Sequence, residues 1–438
     1  MKKRLNTTFG FYSPSFLRMH VDTDKSLQNL NILTDIEAES VYLHEYTHFI
    51  QDISTVYGLA NISVIVDYMK FVNNDIIGNP AGAFQLPVMP IPGALDNVDA
   101  NLEMQKLYNG DGEDHGVTLV AHRKRNKNVL TNLGNQPVDY IEVDYIDVAG
   151  NNQSFDFGAL SIVENMAYIV ESNCYPGCQP SPDLPYSAAE KLVEIIYPAF
   201  GANRLNVLAL CDISLNMFNP GLFFYDTLID FQTNGLTFNQ PEDIYQQVYN
   251  NQPIFNFNGA INFNLLLDAQ ANLAKQQITG YFNDNYFLPL KSWLNSMIDN
   301  AVNYRKANPY FILNIARGGE IKLNVSFKQF MKRVGTPLVT NKYGETTLFR
   351  PQNSDNLNYP IIWAINQIFL VMWGVQSHCE LAGLCSQGWH KSVNICNKSK
   401  PKVDLRCMQQ PWERSQDKRK CPFGVMWHHW GLTGYYPI

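Results

Sequence analysis

Residues 41–52 read VYLHEYTHFIQD and place two histidines, His44 and His48, four positions apart, with Glu45 directly after the first. On an α-helix, positions i and i+4 lie on the same face, so both imidazoles can ligate a single metal ion. Glu45 then lies near enough to take a proton from a water on that ion without being a ligand itself. A bound zinc ion lowers the pKa of its water to about 7 and polarises a carbonyl, so the pattern predicts zinc-dependent hydrolysis.

The alternative is a buried helix that carries histidines as ordinary core residues. The motif lies between the apolar residues VYL and FI, and two histidines and a glutamate are costly to bury there without partners. We therefore interpret the segment as a metal site. Asp52, four residues after His48, is a candidate to orient that imidazole, and the alternative for it is a solvated acid near the helix end.

The His-Glu-x-x-His pattern resembles the active-site helix of the zincin metallopeptidases, and HEYTHFIQ is similar to a form found in several bacterial zincin-like families. The resemblance covers this helix and one further segment. It implies a zinc cofactor and a protein or peptide substrate, with Glu45 as the catalytic base. The longer metzincin signature is not present, because Gln51 replaces its glycine and Ser54 replaces its third histidine.

Resemblance to the gluzincins implies that the third zinc ligand is a glutamate on a later helix. The segment GALSIVENMAYIVES (158–172) is the best candidate, since Glu164, Tyr168 and Glu171 lie on one helical face. We expect Glu164 to be the ligand, with Tyr168 or Glu171 supporting the site, and Glu171 is the alternative ligand. Ser161 and Glu164 also fit a capping box at a helix start, which would give Glu164 a structural role.

The expected third ligand follows the second histidine by 116 positions (164 − 48), a much longer separation than in compact gluzincins. The segment 76–150 must then be an insertion between the two active-site helices, and its alternating residues predict two or three strands. Either DYIEVDYIDV (139–148) or GVTLVAH (116–122) could supply an edge strand for an extended peptide substrate. A sheet with a purely supporting role is the alternative.

The elements that position the motif are two consecutive helices. Thr34 and Glu37 form a capping-box pattern that begins a helix over 34–57, and Gly58 is a natural end for it. A second apolar helix, ANISVIVDYMKFV, follows directly. The catalytic motif is therefore expected in the middle of the first helix.

Patterning along the whole chain predicts an α+β protein that is predominantly helical and has a zincin-like catalytic core. Residues 1–180 are expected to form the catalytic region, including the strand-rich insertion. Residues 181–345 read as a large helical region with room to bind a regulatory protein partner. Residues 346–438 form a region rich in tryptophan and cysteine.

The charge and hydropathy of the chain restrict the binding partners and the cellular location that we expect for this protein. The formal net charge of −7 excludes the overall basic character expected of a nucleic-acid-binding protein. No apolar run follows the basic N-terminus, so a secretory signal is not expected. The most apolar stretch (359–375) contains Asn366 and Gln367 and predicts a buried core helix, not a membrane span. We therefore expect a soluble, cytoplasmic protein with reduced cysteines.

The C-terminal region contains a group of metal-binding residue types: His378, Cys379, Cys385, His390, Cys396, Cys407, Cys421, His428 and His429. Their spacings contain no C-x2-4-C pair, which is the usual sign of a structural zinc site. A second metal site and a set of buried free thiols are therefore both open interpretations.

These features predict a zinc metallopeptidase in which Glu45 is the general base and later returns the proton to the leaving amine. One alternative is a zinc-bound scaffold or sensing protein without catalysis. Another is a hydrolase that acts on non-peptide amides. Glu45 argues against the scaffold, because a purely structural zinc site needs no base and fills its fourth position with a side chain.

Overall fold

The computed structural model of the 438-residue chain describes residues 9–30, 33, 35–178, 182–251, 254–256, 259–282, 284–350, 359–382, 385 and 403–438. Its helices are α1 (Ile36–Ser54), α2 (Val56–Gly78), α3 (Val98–Asn109), α4 (Ala159–Cys174), α5 (Ala188–Ile196), α6 (Pro198–Gly201), α7 (Arg204–Ser214), α8 (Pro220–Thr233), α9 (Pro241–Asn251), α10 (Phe263–Tyr281), α11 (Leu288–Ala307), α12 (Phe311–Ala316), α13 (Val325–Val334), α14 (Pro360–Met372), α15 (Arg406–Gln409) and α16 (Pro422–His429). The prediction of a predominantly helical α+β protein is confirmed.

The strands are short except in one hairpin: β1 (Gly10–Ser13), β2 (Arg18–Val21), β3 (Ala83–Phe84), β4 (Thr118–Thr131), β5 (Gly134–Ile146), β6 (Asn152–Phe157), β7 (Ile254–Asn256), β8 (Gly259–Ile261), β9 (Leu338–Thr340), β10 (Thr346–Thr347) and β11 (Tyr436–Pro437). One sheet has the order β1-β2-β9-β10, in which β2 and β9 are parallel and the outer pairs antiparallel. A second, antiparallel sheet has the order β4-β5-β6.

The first predicted helix is divided into α1 and α2. Helix α1 ends at Ser54, and Thr55 then caps the start of α2 by accepting a hydrogen bond from the Gly58 N–H at 3.1 Å. The two axes differ by 76°. We predicted that Gly58 ends a helix over 34–57, and this prediction is wrong. Gly58 lies within α2, where a Cβ atom would come 2.2 Å from the Asp52 carbonyl oxygen.

The N-terminus of α1 differs from the predicted capping box. Asp35 is the N-cap, and its carboxylate accepts a hydrogen bond from the Ala38 N–H at 3.1 Å. Asp35 is well suited to this role because an N-cap carboxylate satisfies an otherwise unpaired helical N–H group. Thr34, the predicted cap, lies outside the described residues.

The strand-rich segment contains the predicted strands together with one helix that we did not predict. Helix α3 has a polar sequence and buries only Val98 and Ala100, so its apolar periodicity is weak. Strand β5 contains most of DYIEVDYIDV (139–148), one of the two segments that we considered as an edge strand. It is the central strand of its sheet, so this alternative is wrong. Strand β4, which includes most of the other candidate (116–122), does lie at an edge.

Helix α1 lies in the centre of the protein. It packs against α2, α4, α11 and β1, and almost all of its side chains beyond the first turn are buried. Tyr46 stacks edge-on with Phe49 and Phe327, and its hydroxyl donates a hydrogen bond to the Gly335 carbonyl at 2.5 Å. These contacts lie on several sides of α1 and fix the position of the helix that carries both histidines.

A buried ion pair holds the C-terminal end of α1. Arg305 of α11 donates two hydrogen bonds of 2.9 Å to Asp212 of α7 and two of 3.2 Å to the Ser54 hydroxyl. Tyr245 also donates to Asp212 at 2.9 Å. Because every charge here is paired and hydrogen-bonded, the cluster fixes four helices (α1, α7, α9 and α11) relative to one another despite its burial.

The predicted core helix near the C-terminus is confirmed as α14, whose side chains are nearly all buried.

Among the described helices, none is by itself long and apolar enough to cross a membrane, and α1 and α2 would be so only if joined across their bend. Buried side chains from all three predicted regions belong to one contiguous hydrophobic cluster.

The close approach of α2 to the end of α1 gives a stability prediction. We expect Gly58→Ala to lower the free energy of unfolding by about 1–3 kcal/mol, the usual cost of overpacking, because its Cβ meets backbone atoms that cannot rotate away. Gly78→Ala is the matched control, since a Cβ there has no neighbour within 4 Å. Urea denaturation of both variants measures the difference, and equal stabilities would contradict the packing described.

Candidate metal centre

Helices α1 and α4 bring three potential ligands to one point. The Glu164 Oε2 atom on α4 lies 3.2 Å from His44 Nε2 and 3.4 Å from His48 Nε2. One ligand atom from each of these residues lies within 4.8 Å of the others. The predicted grouping of these residues is confirmed, and the three side chains could hold a metal ion.

The cluster is almost completely removed from solvent. His44, His48 and Glu164 are between 0% and 4% exposed, and Glu45 is 1% exposed. Within the described structure, His48 Nε2, Glu164 Oε1 and Glu45 Oε2 are buried polar atoms without a hydrogen-bond partner. Buried polar atoms normally have partners, so the unsatisfied His48 and Glu164 atoms of the group fit a site that a cation would complete, with Glu45 buried on the same helix.

Hydrogen bonds on the far side of each imidazole turn both Nε2 atoms toward the cluster. His44 Nδ1 lies 2.8 Å from Glu171 Oε2, and because a carboxylate only accepts, the imidazole must donate from Nδ1. His48 Nδ1 lies 2.8 Å from Gln51 Oε1, while the Gln51 amide donates to the Val163 carbonyl at 2.9 Å. Such contacts orient histidine ligands and set their tautomer in metal sites.

The charges of the metal-free cluster are strongly coupled. Burial raises the pKa of Glu164, but His48 and His44 outweigh that effect and bring it down to about 2. Burial lowers the pKa values of both histidines, whereas the glutamates raise them, and the net pKa of each histidine lies above its usual value. The carboxylate thus requires positive charge beside it, which protons on the imidazoles or a divalent cation can supply.

Glu45 is a buried carboxyl group on the helix that carries both histidines. It is the residue after His44 and is not one of the three grouped ligands. Burial raises its pKa to about 7, with the two histidines opposing that rise. A carboxyl group with a pKa near neutrality can both accept and return a proton. Strand β1 lies against it, since a Cβ on Gly10 would be 3.4 Å from Glu45 Cγ.

Two of the supporting roles that we predicted are not observed. Asp52 accepts hydrogen bonds from the Tyr12 hydroxyl at 2.9 Å and the Ser15 N–H at 2.6 Å, and Gln51 is the residue that contacts His48 Nδ1. Asp52 is thereby directed to the loop after β1. Tyr168 is turned toward Arg204, whose guanidinium lies 5.1 Å from the centre of its ring.

The remaining alternatives on α4 concern Ser161 and Glu171. Helix α4 begins at Ala159 after the N-cap Gly158, so Ser161 lies inside the first turn and forms no capping box with Glu164. Glu171 contacts the outer nitrogen of His44 and accepts a hydrogen bond from the Ser40 hydroxyl at 2.5 Å. Glu171 therefore orients the His44 imidazole and is not one of the three grouped residues.

Two residues at the site were missed from the sequence. Gln51 lies three positions after His48 on the same helical face, a spacing that could have identified it. Tyr186 is buried, and the centre of its ring lies 5.7 Å from that of His44. Burial and the carboxylates of Glu164 and Glu45 raise the pKa of this phenol, which keeps it protonated. No sequence pattern connects Tyr186 to the motif.

The two glutamates of α4 should differ in their effect on metal affinity. We expect Glu164→Gln to abolish stoichiometric zinc binding, whereas Glu171→Gln should weaken it by about 10–100-fold, as loss of an orienting partner does. Tyr168→Phe is the control on the same helix and should bind normally. Competition against a chromophoric chelator gives the three affinities, and stronger binding by Glu164→Gln than by Glu171→Gln would reverse our assignment.

No protein-family model, curated protein or solved structure matches this chain. The candidate metal centre is therefore defined by the positions and environments of its own side chains.

Proposed function

We propose that this protein is a zinc-dependent metallopeptidase with a zincin-like catalytic core. The observation that carries the proposal is the buried group of His44, His48 and Glu164 with the non-ligating carboxylate of Glu45 beside it. Two imidazole nitrogens and one carboxylate oxygen form a ligand set typical of catalytic zinc, which keeps a fourth position for water or substrate. When bound, zinc would lower the pKa of a water and polarise the carbonyl under attack.

Glu45 supports catalysis over a purely structural role. Its side chain is buried next to the ligands, has an oxygen without a hydrogen-bond partner in the described structure, and has a pKa near 7. In the proposed reaction, Glu45 removes a proton from the attacking water and later gives it to the leaving amine. This use of one carboxyl group as base and then acid requires a pKa close to the working pH.

Tyr186 is the proposed hydrogen-bond donor for the oxygen of the substrate carbonyl. Its phenol stays protonated, and its ring lies against His44 at one side of the cluster. Negative charge develops on the carbonyl oxygen as water adds, and a fixed donor stabilises that charge more than it stabilises the ground state.

A peptide is the proposed substrate because an edge strand is connected to the segment that carries Tyr186. Asp114, just before β4, exchanges two backbone hydrogen bonds with Leu184, of 3.0 and 3.3 Å. The Val117 N–H also donates to the Asp183 carboxylate at 2.9 Å. An extended peptide that pairs with the edge of β4 would use main-chain hydrogen bonds, which suit peptides better than other amides.

Replacing the proposed base tests the function directly. Glu45→Gln should retain zinc and fold but lose about 10²–10⁴-fold in turnover, because an amide cannot accept the proton. Glu37→Gln is the matched control, since Glu37 is an exposed residue in the first turn of the same helix. The measurement is the appearance of new N-termini in a proteome digest. Equal cleavage by wild type and Glu45→Gln, or none by the zinc-loaded wild type, would contradict the proposal.

The proposed role of Tyr186 predicts that its replacement changes kcat and KM to different extents. Tyr186→Phe should lower kcat by about 10²–10³-fold with little change in KM, as for loss of a transition-state hydrogen-bond donor. Tyr168→Phe should leave both constants unchanged, because its ring is turned toward Arg204. Steady-state kinetics on a peptide identified from the digest gives both values. A change confined to KM would assign Tyr186 to substrate binding instead.

A further inference from the structure

Four cysteines that are far apart in sequence line one small cavity near the C-terminus. Cys379, Cys385, Cys407 and Cys421 surround a space of about 10 Å³, and each is at least 93% buried. All four are free thiols. A cavity of this size is close to the minimum that holds one water molecule, so it has room for a single ion.

We propose that these four cysteines form a second metal centre, a structural zinc site with four sulfur ligands. Cysteine thiolates select zinc among the common divalent ions, and four of them complete its tetrahedral coordination. The proposal concerns residues separate from His44, His48 and Glu164 and does not depend on the proposed peptidase activity.

A hydrogen bond to sulfur supports this assignment. The Gly424 N–H donates to Cys421 Sγ at 3.4 Å. The Cys379 N–H donates to the Cys407 carbonyl at 2.8 Å and so joins the loop after α14 to helix α15. A backbone N–H group three residues after a cysteine stabilises the negative charge of a thiolate ligand.

A buried cation also lies beside the sulfurs. Arg414 is 3% exposed, lines the cavity and contacts Cys421. Its guanidinium is held by ion pairs to Asp404 at 2.7 Å and Asp417 at 3.2 Å. Four thiolates around one divalent cation have a net negative charge, and a fixed guanidinium next to them offsets part of it.

The sulfur atoms are less closely gathered than the ligand atoms of the first site, since no three of them form a group within 4.8 Å. Zinc–sulfur bonds are about 2.3 Å long, so binding would draw the four cysteines inward. Binding should therefore tie the C-terminal helices α15 and α16 to the turn after α14. This is the action of a structural zinc, whose binding energy adds to folding stability.

His428 and His429 of the same region make other contacts. The Nδ1 atom of His428 lies 3.0 Å from the Thr433 hydroxyl, and His429 packs on Phe287 with ring centres 4.4 Å apart. His390 and Cys396, also considered from the sequence, lie outside the described residues. The cysteines at 379, 385, 407 and 421 are thus the set that the described structure brings together.

Zinc content of the full chain tests the second centre. Wild type should contain about two zinc ions per chain, one at each proposed site. Cys421→Ser should contain about one, whereas Cys211→Ser, which changes an equally buried thiol in α7, should keep both. His44→Ala/His48→Ala should lose the other ion and retain the one held by sulfur. Failure of the first site would therefore leave the second measurable.

Cobalt substitution tests the four-cysteine site in a protein that keeps all of its cysteines, so the result does not depend on whether a cysteine variant folds. Metal-free His44→Ala/His48→Ala protein titrated with Co²⁺ should develop sulfur-to-cobalt charge-transfer bands and strong visible absorption, as tetrahedral thiolate coordination does. Equal zinc in wild type and Cys421→Ser, or a cobalt spectrum without thiolate bands, would overturn the proposal. Iron and acid-labile sulfide in the purified protein would also overturn it, in favour of a metal–sulfur cluster.

Discussion

The interaction on which the proposed site depends is the contact of the Glu164 carboxylate with two imidazoles. It joins α4 to α1, although the two helices are separated by the long β4–β5–β6 segment in sequence. A buried carboxylate is costly unless positive charge lies beside it, and the pKa of Glu164 shows how strongly the two histidines meet that need. A divalent cation would meet it more fully and would at the same time bind His48 Nε2, which contacts Glu164 at 3.4 Å without a hydrogen bond.

Much of the remaining structure serves to hold that contact in place. Glu171 and Gln51 fix the outer nitrogen of each imidazole, so that both inner nitrogens are directed at one point. The Arg305–Asp212 pair holds the end of α1, and Gly58 allows α2 to pack against it without a side chain between them. A site built on rigid, buried helices keeps its geometry before any ligand binds, which is what preorganised catalysis requires.

The sequence was sufficient for features that depend on local spacing. The helical i, i+4 relation predicted that His44 and His48 lie together, and family resemblance pointed to Glu164 as the acid of α4 that groups with them. Features set by tertiary packing were not predictable in this way. The bend at Thr55 brings the α2 backbone at Gly58 close to the backbone at the end of α1, and Asp52 is held by the Tyr12 hydroxyl of β1 and the Ser15 N–H of the following loop.

Other misses have the same physical origin. Tyr186 reaches the site from a segment with no periodic relation to the motif, so only the fold brings it near His44. The four C-terminal cysteines lack short spacings because they come from separate turns and helices, and their convergence is visible only in three dimensions. The polar helix α3 lacks the apolar stripe by which amphipathic helices are recognised.

The most direct test of the central claim is anomalous X-ray scattering at the zinc absorption edge from crystals of the zinc-loaded protein. We predict a peak bounded by His44 Nε2, His48 Nε2 and the Glu164 carboxylate, with a carboxylate–zinc distance of about 2.0–2.2 Å. Glu45 should lie next to that peak without ligating it. A fully zinc-loaded protein with no peak at this position, or with Glu45 as a direct ligand, would contradict the account.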